Sequence, residues 1–378
     1  MKIATNVDRD AFGGITISNL ALFDWLADGD ATVVGIEYVT RRHVLGAAIF
    51  QKYSQAFFRH HIIGSFDIVR KYPWTKAWNL KKKWRVLIDE TKKVLIQEFP
   101  DVVLINGTYS LPWILAQAAS EMHIPIVLRY AGVMKKEVEN LPYFVRRRLA
   151  RHEQEIALLA DAIIFPSNVC KEVVEREVLF RSLPEATVVP NPIGSISKVS
   201  RNRAANSVYT IACVGRWTKV KNFQAFFALH KALLSIGWNH RAVLVTQPTR
   251  TQIPKTIERH GPMTHRELED FYTTVDLVVV PSHFETFSNV AAEAIAHGCS
   301  VLVSRNVGFS EVLREAGLER MIISSFDNAA DVAEAIQRIA QKKLTEKERR
   351  AVLRILDSHR IHEEIYNILD SILSRSRE

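Results

Sequence analysis

Two cations five residues apart, Arg216 and Lys221, and two acids eight residues apart, Glu285 and Glu293, are the side chains whose type and spacing best suit chemistry. A planar guanidinium fork and a compact ammonium in one loop could clamp the two phosphates of a nucleotide diphosphate, or form a solvated basic loop. Glu285 follows the apolar run DLVVVPS (276–282), and Ser288 or Asn289 is placed to cap a helix that carries Glu293. Eight residues is just over two helical turns, so both acids can point toward one cleft, or serve as capping and surface charge. Bare N–H groups from Thr286 through Phe287 to Asn289 would offer a phosphate positive potential. Gly13-Gly14, between KIATNV (2–7) and ITISNLALFDWL (15–26), could let the backbone approach a phosphate or sugar, or form only a tight turn.

These residues need elements to hold them. Apolar, β-branched runs recur at 2–7, 32–39, 101–106, 124–131, 161–167 and 187–191, then at 209–215, 241–247, 276–282, 300–305 and 321–324. Amphipathic segments separate them. Continuous apolar runs between helices signal parallel sheets covered on both faces, and two series in succession predict two doubly wound α/β domains. Ligands of such sheets bind beyond the carboxyl ends of the strands, which is where the cations, the acids and the glycine pair fall. The segment 192–207, rich in Ser, Asn and Arg, reads as a linker. The expected organisation is a domain over 1–192, a linker over 193–207, a second domain over 208–350 and C-terminal helices over 351–378. In the tail, Ile361, Ile365, Ile368, Leu369, Ile372 and Leu373 recur at helical spacing, fitting a dimerising amphipathic helix or a coiled-coil seam.

With 378 residues, 47% hydrophobic and 24% charged, the chain exceeds one ordinary core, and disorder, collagen and coiled coil are excluded. Cys170, Cys213 and Cys299 lie far apart, so no metal or redox pair is spaced for and a reducing cytosol is expected. Asp8, Arg9 and Asp10 break the first apolar run before it reaches signal-peptide length; as an Asp-x-Asp triplet they read as a surface loop rather than a metal site. The uncharged stretch Val102 to Ser120 contains Asn106, Gly107, Pro112 and Gln117 and reads as strand, loop and helix rather than a bilayer span. Residues 41–100 hold 13 Lys and Arg against four Asp and Glu, a surplus equal to the whole chain's +9. Interleaved aromatics, as in FFRHHIIGSF (57–66), suit an anionic membrane surface or an acidic polymer, while a solvated basic face is the plain alternative. His283 and His297 read as packing or surface histidines, and Cys299 as a small core residue.

With these residues in hand, the chain resembles the retaining GT-B glycosyltransferases of glycosyltransferase family 4. The resemblance runs through Gly13-Gly14, VVPNPI (188–193), GRWTKVK (215–221), GPMTHRELEDFYTTVDLVVVPS (261–282), ETFSNVAAEA (285–294) and GFSEVL (308–313). It implies two Rossmann-like domains facing a cleft, with a C-terminal helix crossing back to the first. It also implies a nucleotide-sugar donor held by the second domain and an acceptor bound by the first. Arg216 and Lys221 would then bind the donor diphosphate and stabilise the leaving group. Glu285 would hydrogen-bond the sugar near its reacting carbon, and Glu293 would bind ribose hydroxyls. Backbone groups of Phe287, Ser288 and Asn289, next to Thr286, would line the phosphate, with Gly13-Gly14 closing over it. No metal is expected if the two cations do that work.

The resemblance thus implies a hexosyltransferase acting on a hydroxyl of a glycan or lipid-linked glycan in polysaccharide biosynthesis. It would be cytoplasmic and peripheral at the inner membrane face through residues 41–100, without nucleic acid as a partner. The chain departs from the family pattern at three points. Asn222 and Thr286 stand where glycines are usual, and Arg129-Tyr130 where a histidine near the donor sugar is frequent. Those departures motivate the alternative of a non-catalytic nucleotide-sugar or glycan-binding module with a degenerate site.

Overall fold

The structure, a computed structural model, describes residues 1–7, 14–29, 31–39, 57–63, 77–139, 141–183, 186–193 and 208–375. The chain begins with β1 (Lys2–Val7), α1 (Gly14–Asp28), β2 (Thr32–Val39), β3 (Phe57–Ile63), α2 (Ala77–Glu98), β4 (Val102–Asn106) and α3 (Ser110–Glu121). It continues through β5 (Ile126–Arg129), α4 (Met134–Glu137), α5 (Tyr143–Leu159), β6 (Ala162–Phe165), α6 (Asn168–Val174) and β7 (Thr187–Val188). Then come β8 (Tyr209–Val214), α7 (Phe223–Ser235), β9 (His240–Val245), β10 (Ile257–His260), α8 (His265–Thr273), β11 (Leu277–Val280) and α9 (Asn289–Ala296). Last are β12 (Ser300–Ser304), α10 (Phe309–Glu315), β13 (Ile322–Ile323), α11 (Ala329–Gln341), α12 (Glu346–Ile355) and α13 (Ser358–Arg375).

The elements form two compact units. Unit 1 comprises Met1–Pro166, Lys171–Pro190 and His359–Glu378; unit 2 comprises Ser167–Cys170 and Asn191–Ser358. Unit 1 holds a seven-stranded sheet of order β3-β2-β1-β4-β5-β6-β7, and unit 2 a six-stranded sheet of order β10-β9-β8-β11-β12-β13. Every strand pair in both sheets is parallel. In each, the strand order reverses beside the first strand, at β1/β4 and at β8/β11, which is the doubly wound pattern and its switch point.

The central strands are buried along their whole length because helices cover both faces: Val102–Asn106, Leu277–Val280 and Ser300–Ser304 are buried at every position. The two strands absent from the sequence reading, β3 and β10, are the outer edges of their sheets. An edge strand is only partly covered and tolerates charge, so IERH of β10 buries Ile257 alone and shows no apolar run. FFRHHII, read as part of a basic aromatic surface segment, is edge strand β3, in register with β2 from Val33–Phe57 to Val39–Ile63.

The tail divides at Ser358. The α12 helix starts in a capping box, where Thr345 Oγ1 accepts from Glu348 N (3.3 Å) and Glu348 Oε2 accepts from Thr345 N (2.9 Å). It stays in unit 2 through Arg349, whose Nη1 donates to the Ala296 carbonyl (2.8 Å). The α13 helix belongs to unit 1, where Ile361, Ile365, Leu369, Ile372 and Leu373 enter a core with Leu22, Phe23 and Leu26 of α1. Trp25 stands edge-on to His359 at 5.6 Å and contacts His362 at 5.8 Å. The apolar stripe that could have joined two copies is consumed inside the chain, each buried Ile or Leu contributing about 1.5–3 kcal/mol.

Asp8, Arg9, Asp10, Gly13, residues 194–207 and most of 41–76 lie outside the described residues. Among the described residues no helix is long and apolar enough to cross a membrane.

Candidate active site

The topology of unit 2 brings two distant loops together. The strands β8 and β11 are neighbours, Ile211 beside Leu277 and Ala212 beside Val278, and the order reverses between them. Connections leaving these strands therefore part and leave a crevice at the carboxyl edge. After β8 come Gly215, Arg216 and a 3₁₀ turn, Lys219–Lys221; after β11 come Ser282 and Glu285. Lys221 Nζ and Glu285 Oε1 meet at 2.7 Å, with side chains 21% and 11% exposed. The same Oε1 accepts from Ser282 Oγ at 2.6 Å, and Ser282 is itself buried.

Both loops are fixed by their own backbones. Lys221 is followed by Asn222 at φ 50°, ψ 46°, the left-handed conformation, which ends the 3₁₀ turn and starts α7. Asparagine is among the few side chains that accept this region readily, so Asn222 fills a glycine position with a residue suited to it. Trp217 stacks on Phe223 at 4.9 Å and 14°, bracing the loop across the turn. Glu285 forms a parallel bridge with Val307: its N–H donates to Asn306 (3.3 Å) and its carbonyl accepts from Gly308 N–H (3.0 Å). Gly308 is held to glycine by space, because a Cβ there would collide with the Thr286 carbonyl and the Ser167 hydroxyl. Ser167 Oγ donates to that carbonyl at 2.6 Å. Thr286 has no positive φ, so the backbone here makes no demand for glycine.

Glu285 precedes α9 and is not part of it, so the eight-residue spacing to Glu293 is not a helical repeat. Neither side chain expected to cap α9 does so. Ser288 is the N-cap residue at φ 100°, ψ 83° with no side-chain capping bond, and Asn289 Oδ1 accepts from Asn191 Nδ2 at 3.0 Å. The first turn of α9 is left without a side-chain cap, which suits an external anion. Phe287 is core: buried, edge-on to Phe309 at 5.6 Å, with its carbonyl accepting from Phe309 N–H at 2.7 Å.

Glu293 lies one turn inside α9, and Tyr272 OH stands 3.4 Å from its Oε2. Burial pushes the Glu293 carboxyl up to about 7, with the Tyr272 hydroxyl acting against the rise and Glu269 adding to it. Next to the clamp, burial pushes the Cys213 thiol of β8 well up, with Lys221 acting against the rise and Glu285 adding to it. All three cysteines are buried and free. His297 is buried, its Nδ1 2.8 Å from the Glu293 carbonyl, and His283 is exposed with its N–H donating to Val220 at 2.9 Å.

Of the residues singled out in the sequence, Lys221 and Glu285 meet directly. Arg216 is exposed two residues after β8, and Glu293 is held by a different neighbour from Glu285. Gly14 opens α1 in unit 1, and Gly13 lies outside the described residues. The Arg129 that replaces a frequent histidine is buried, its Nη1 donating to Asn19 Oδ1 (2.8 Å) and its Nη2 to Ser18 Oγ (3.2 Å) on α1. Burial lowers its guanidinium to about 10.

Several residues had little or no sequence signal of their own. Ser282 and Tyr272 hold the two acids. Thr218 Oγ1, Thr246 Oγ1 and Ser288 Oγ are buried with no hydrogen-bond partner among the described residues, each in a segment following β8, β9 or β11. Buried hydroxyls are rarely left unsatisfied, and three at one edge of a sheet mark a place for a polar ligand.

Residues 208–342 match the family model of glycosyl transferases group 1. A D-inositol 3-phosphate glycosyltransferase from Catenulispora acidiphila is 40% identical over 86 residues, 22% of this chain and 20% of that protein. One from Xylanimonas cellulosilytica is 44% identical over 54 residues, 14% of this chain and 13% of its own length. These matches thus span a fifth or less of the curated relatives. Sucrose-phosphate synthase from Thermosynechococcus elongatus is similar in structure over 99% of this chain and 100% of its own, with TM-score 0.74 and 17% identity. Anabaena HepE in complex with UDP and glucose aligns over 98% and 100%, with TM-score 0.71 and 15% identity. The chain has the two-domain GT-B fold, and its residues 208–342 match the glycosyl transferases group 1 family.

Proposed function

We propose that the chain is a glycosyltransferase that moves a hexose from a nucleotide diphosphate sugar to a hydroxyl of a glycan or lipid-linked glycan, with retention of anomeric configuration. The observation that carries this reading is the Lys221–Glu285 contact at the switch point of unit 2, beside an uncapped α9 and unsatisfied hydroxyls. Arg216 and Lys221 supply positive charge for the diphosphate as it leaves, and the α9 N–H groups add to it. That much charge in one crevice supports departure without a metal. Glu285, fixed by Lys221 and Ser282 on one oxygen, keeps Oε2 for a sugar hydroxyl. Glu293, with its carboxyl near 7, can donate to or accept from ribose hydroxyls. The acceptor hydroxyl attacks on the face from which the diphosphate departs, so the protein contributes position and electrostatics.

The Anabaena HepE structures hold UDP, UDP with glucose, and UDP-glucose, so UDP-glucose is the first donor to try. The test is calorimetric binding of UDP, GDP, ADP, TDP and their sugars with and without EDTA, on wild type and Arg216→Ala, followed by donor hydrolysis without acceptor. Expected are EDTA-insensitive binding of one nucleotide, weakened in the variant, and slow release of free sugar with its anomeric configuration kept. Binding without any hydrolysis or transfer would replace the enzyme reading with a binding module.

A further inference from the structure

Unit 1 carries a helix end that its own core does not use. The α5 helix follows β5 and runs back toward β6; because the strands are parallel, its N-terminus lies at the carboxyl edge of the sheet. Its buried residues are His152, Glu153, Ile156 and Ala157, all in the second half. From Leu141 to Arg151 no residue is fully buried; Val145, Arg148, Leu149 and Ala150 are half-covered and the others exposed, so the first two turns, about 11 Å of helix, keep an open face. At the tip Leu141 is 42%, Tyr143 58% and Phe144 57% exposed, the two rings meeting edge-on at 5.6 Å.

Behind the rings come Arg146, Arg147 and Arg148, then Arg151, and Leu141–Arg151 contains no acid. Arg151 is paired with Glu155 at 2.6 Å, whereas Arg146 and Arg147 are exposed and make no ion pair among the described residues. A third exposed ring extends the flank. Phe180, 73% exposed, has the Lys135 ammonium 5.7 Å from its centre, and the turn before it is tied to α5 where Gln154 Nε2 donates to the Val178 carbonyl (3.4 Å).

We propose that the N-terminal turns of α5 dock unit 1 onto a bilayer carrying anionic lipid, with Leu141, Tyr143 and Phe144 entering the interface and Arg146 and Arg147 on the phosphates. Rings at a helix tip backed by unpaired guanidiniums, with no carboxylate between, match the apolar-then-anionic profile of such a surface. Residues 141–144 are consecutive and all exposed. A soft interface takes up such a run without a shaped pocket, which a protein partner would have to supply. Its biological use rests on the lipid-linked acceptor reading: the carboxyl edge of unit 1, where the resemblance expects the acceptor, is then held at the membrane.

The test is sedimentation of the full chain with vesicles of phosphatidylcholine alone or mixed with phosphatidylglycerol, with UDP binding measured on the same samples. Expected is binding to the mixed vesicles only, weakened by salt. It should fall about 25-fold in Arg146→Glu/Arg147→Glu, at roughly fivefold per arginine, and about tenfold in Tyr143→Ser/Phe144→Ser. Unchanged melting curves and UDP affinity establish that both variants are folded. Lys81→Gln/Lys82→Gln/Lys83→Gln on α2 is the control. If that variant loses vesicles while the α5 variants keep them, or if wild type ignores both vesicle types, the α5 docking surface is wrong. UDP binding without vesicle binding removes the docking surface and leaves glycosyl transfer standing, and the converse removes transfer and leaves the surface.

Discussion

Replacing Lys221 by Met tests whether the two loops of unit 2 hold each other. The pair is close, 2.7 Å, and both side chains are more than three-quarters buried. Bare Coulomb attraction at about 3 Å with an effective dielectric of about 20 is roughly 5 kcal/mol, most of it offset by desolvation of both groups. Charged hydrogen bonds retain about 1.5–3 kcal/mol net, and stranding Glu285 with Ser282 as its remaining side-chain donor puts Lys221→Met at the upper end. For a unit of this size that is a drop of about 5–10 °C in Tm. The transition to follow is that of unit 2, which UDP should raise on the proposed function, since a ligand stabilises the unit that binds it. In the cycle Lys221→Met, Glu285→Gln and both, the coupling should be about 1–2 kcal/mol. Transfer should fall about 10²- to 10³-fold in Lys221→Met if the ammonium also meets the leaving diphosphate. Additive effects, with coupling under about 0.3 kcal/mol, would refute the argument.

Two further outcomes follow from backbone and burial. Asn222→Gly should match or exceed wild type in Tm, while Asn222→Ala should cost about 1 kcal/mol at the left-handed position; equal melting of the two variants would mean the turn relaxes. Glu293 is raised from 4.5 to about 7, so the folded state holds its proton where the unfolded chain has lost it. Its contribution is fully present below about 4.5 and disappears as pH rises to about 7, a decline on the order of 3 kcal/mol. Glu153, raised to about 8 by burial, slopes the same way, so the measurement is urea unfolding against pH for wild type minus Glu293→Gln. A difference flat in pH would place the carboxyl in water.

The central strands were legible because burial on both faces favours an apolar run, as in LVVV and the VLV inside SVLVS. The edge strands were not, because partial cover leaves IERH without a period. In the site, Arg216, Lys221, Glu285 and Glu293 stood out by charge after apolar runs, but which of them meet depends on strand order, and the pairing of β8 with β11 is a contact across more than sixty residues. Ser288 looked like a cap because its residue type caps; at φ 100° its side chain makes no capping bond. Ser282 had one faint mark, a hydroxyl three positions before an acid. Tyr272, Thr218 and Thr246 had none, since a single hydroxyl in an apolar or loop segment has no spacing to read.

The assignment of α13 to unit 1 bears on the order in which the protein assembles. The sheet made first is completed by a helix encoded after all of Asn191–Ser358. At the usual pace of synthesis, roughly 10–30 s separates the emergence of the unit 1 strands from the arrival of Ile361, Ile365 and Leu369. Throughout that interval Leu22, Phe23 and Leu26 lack part of their cover, and unit 2 is complete, at Ser358, just before α13 follows. Nascent chains stalled before residue 358 should therefore recruit chaperones through the α1 face, and unit 1 is the late-maturing half although it leaves the ribosome first.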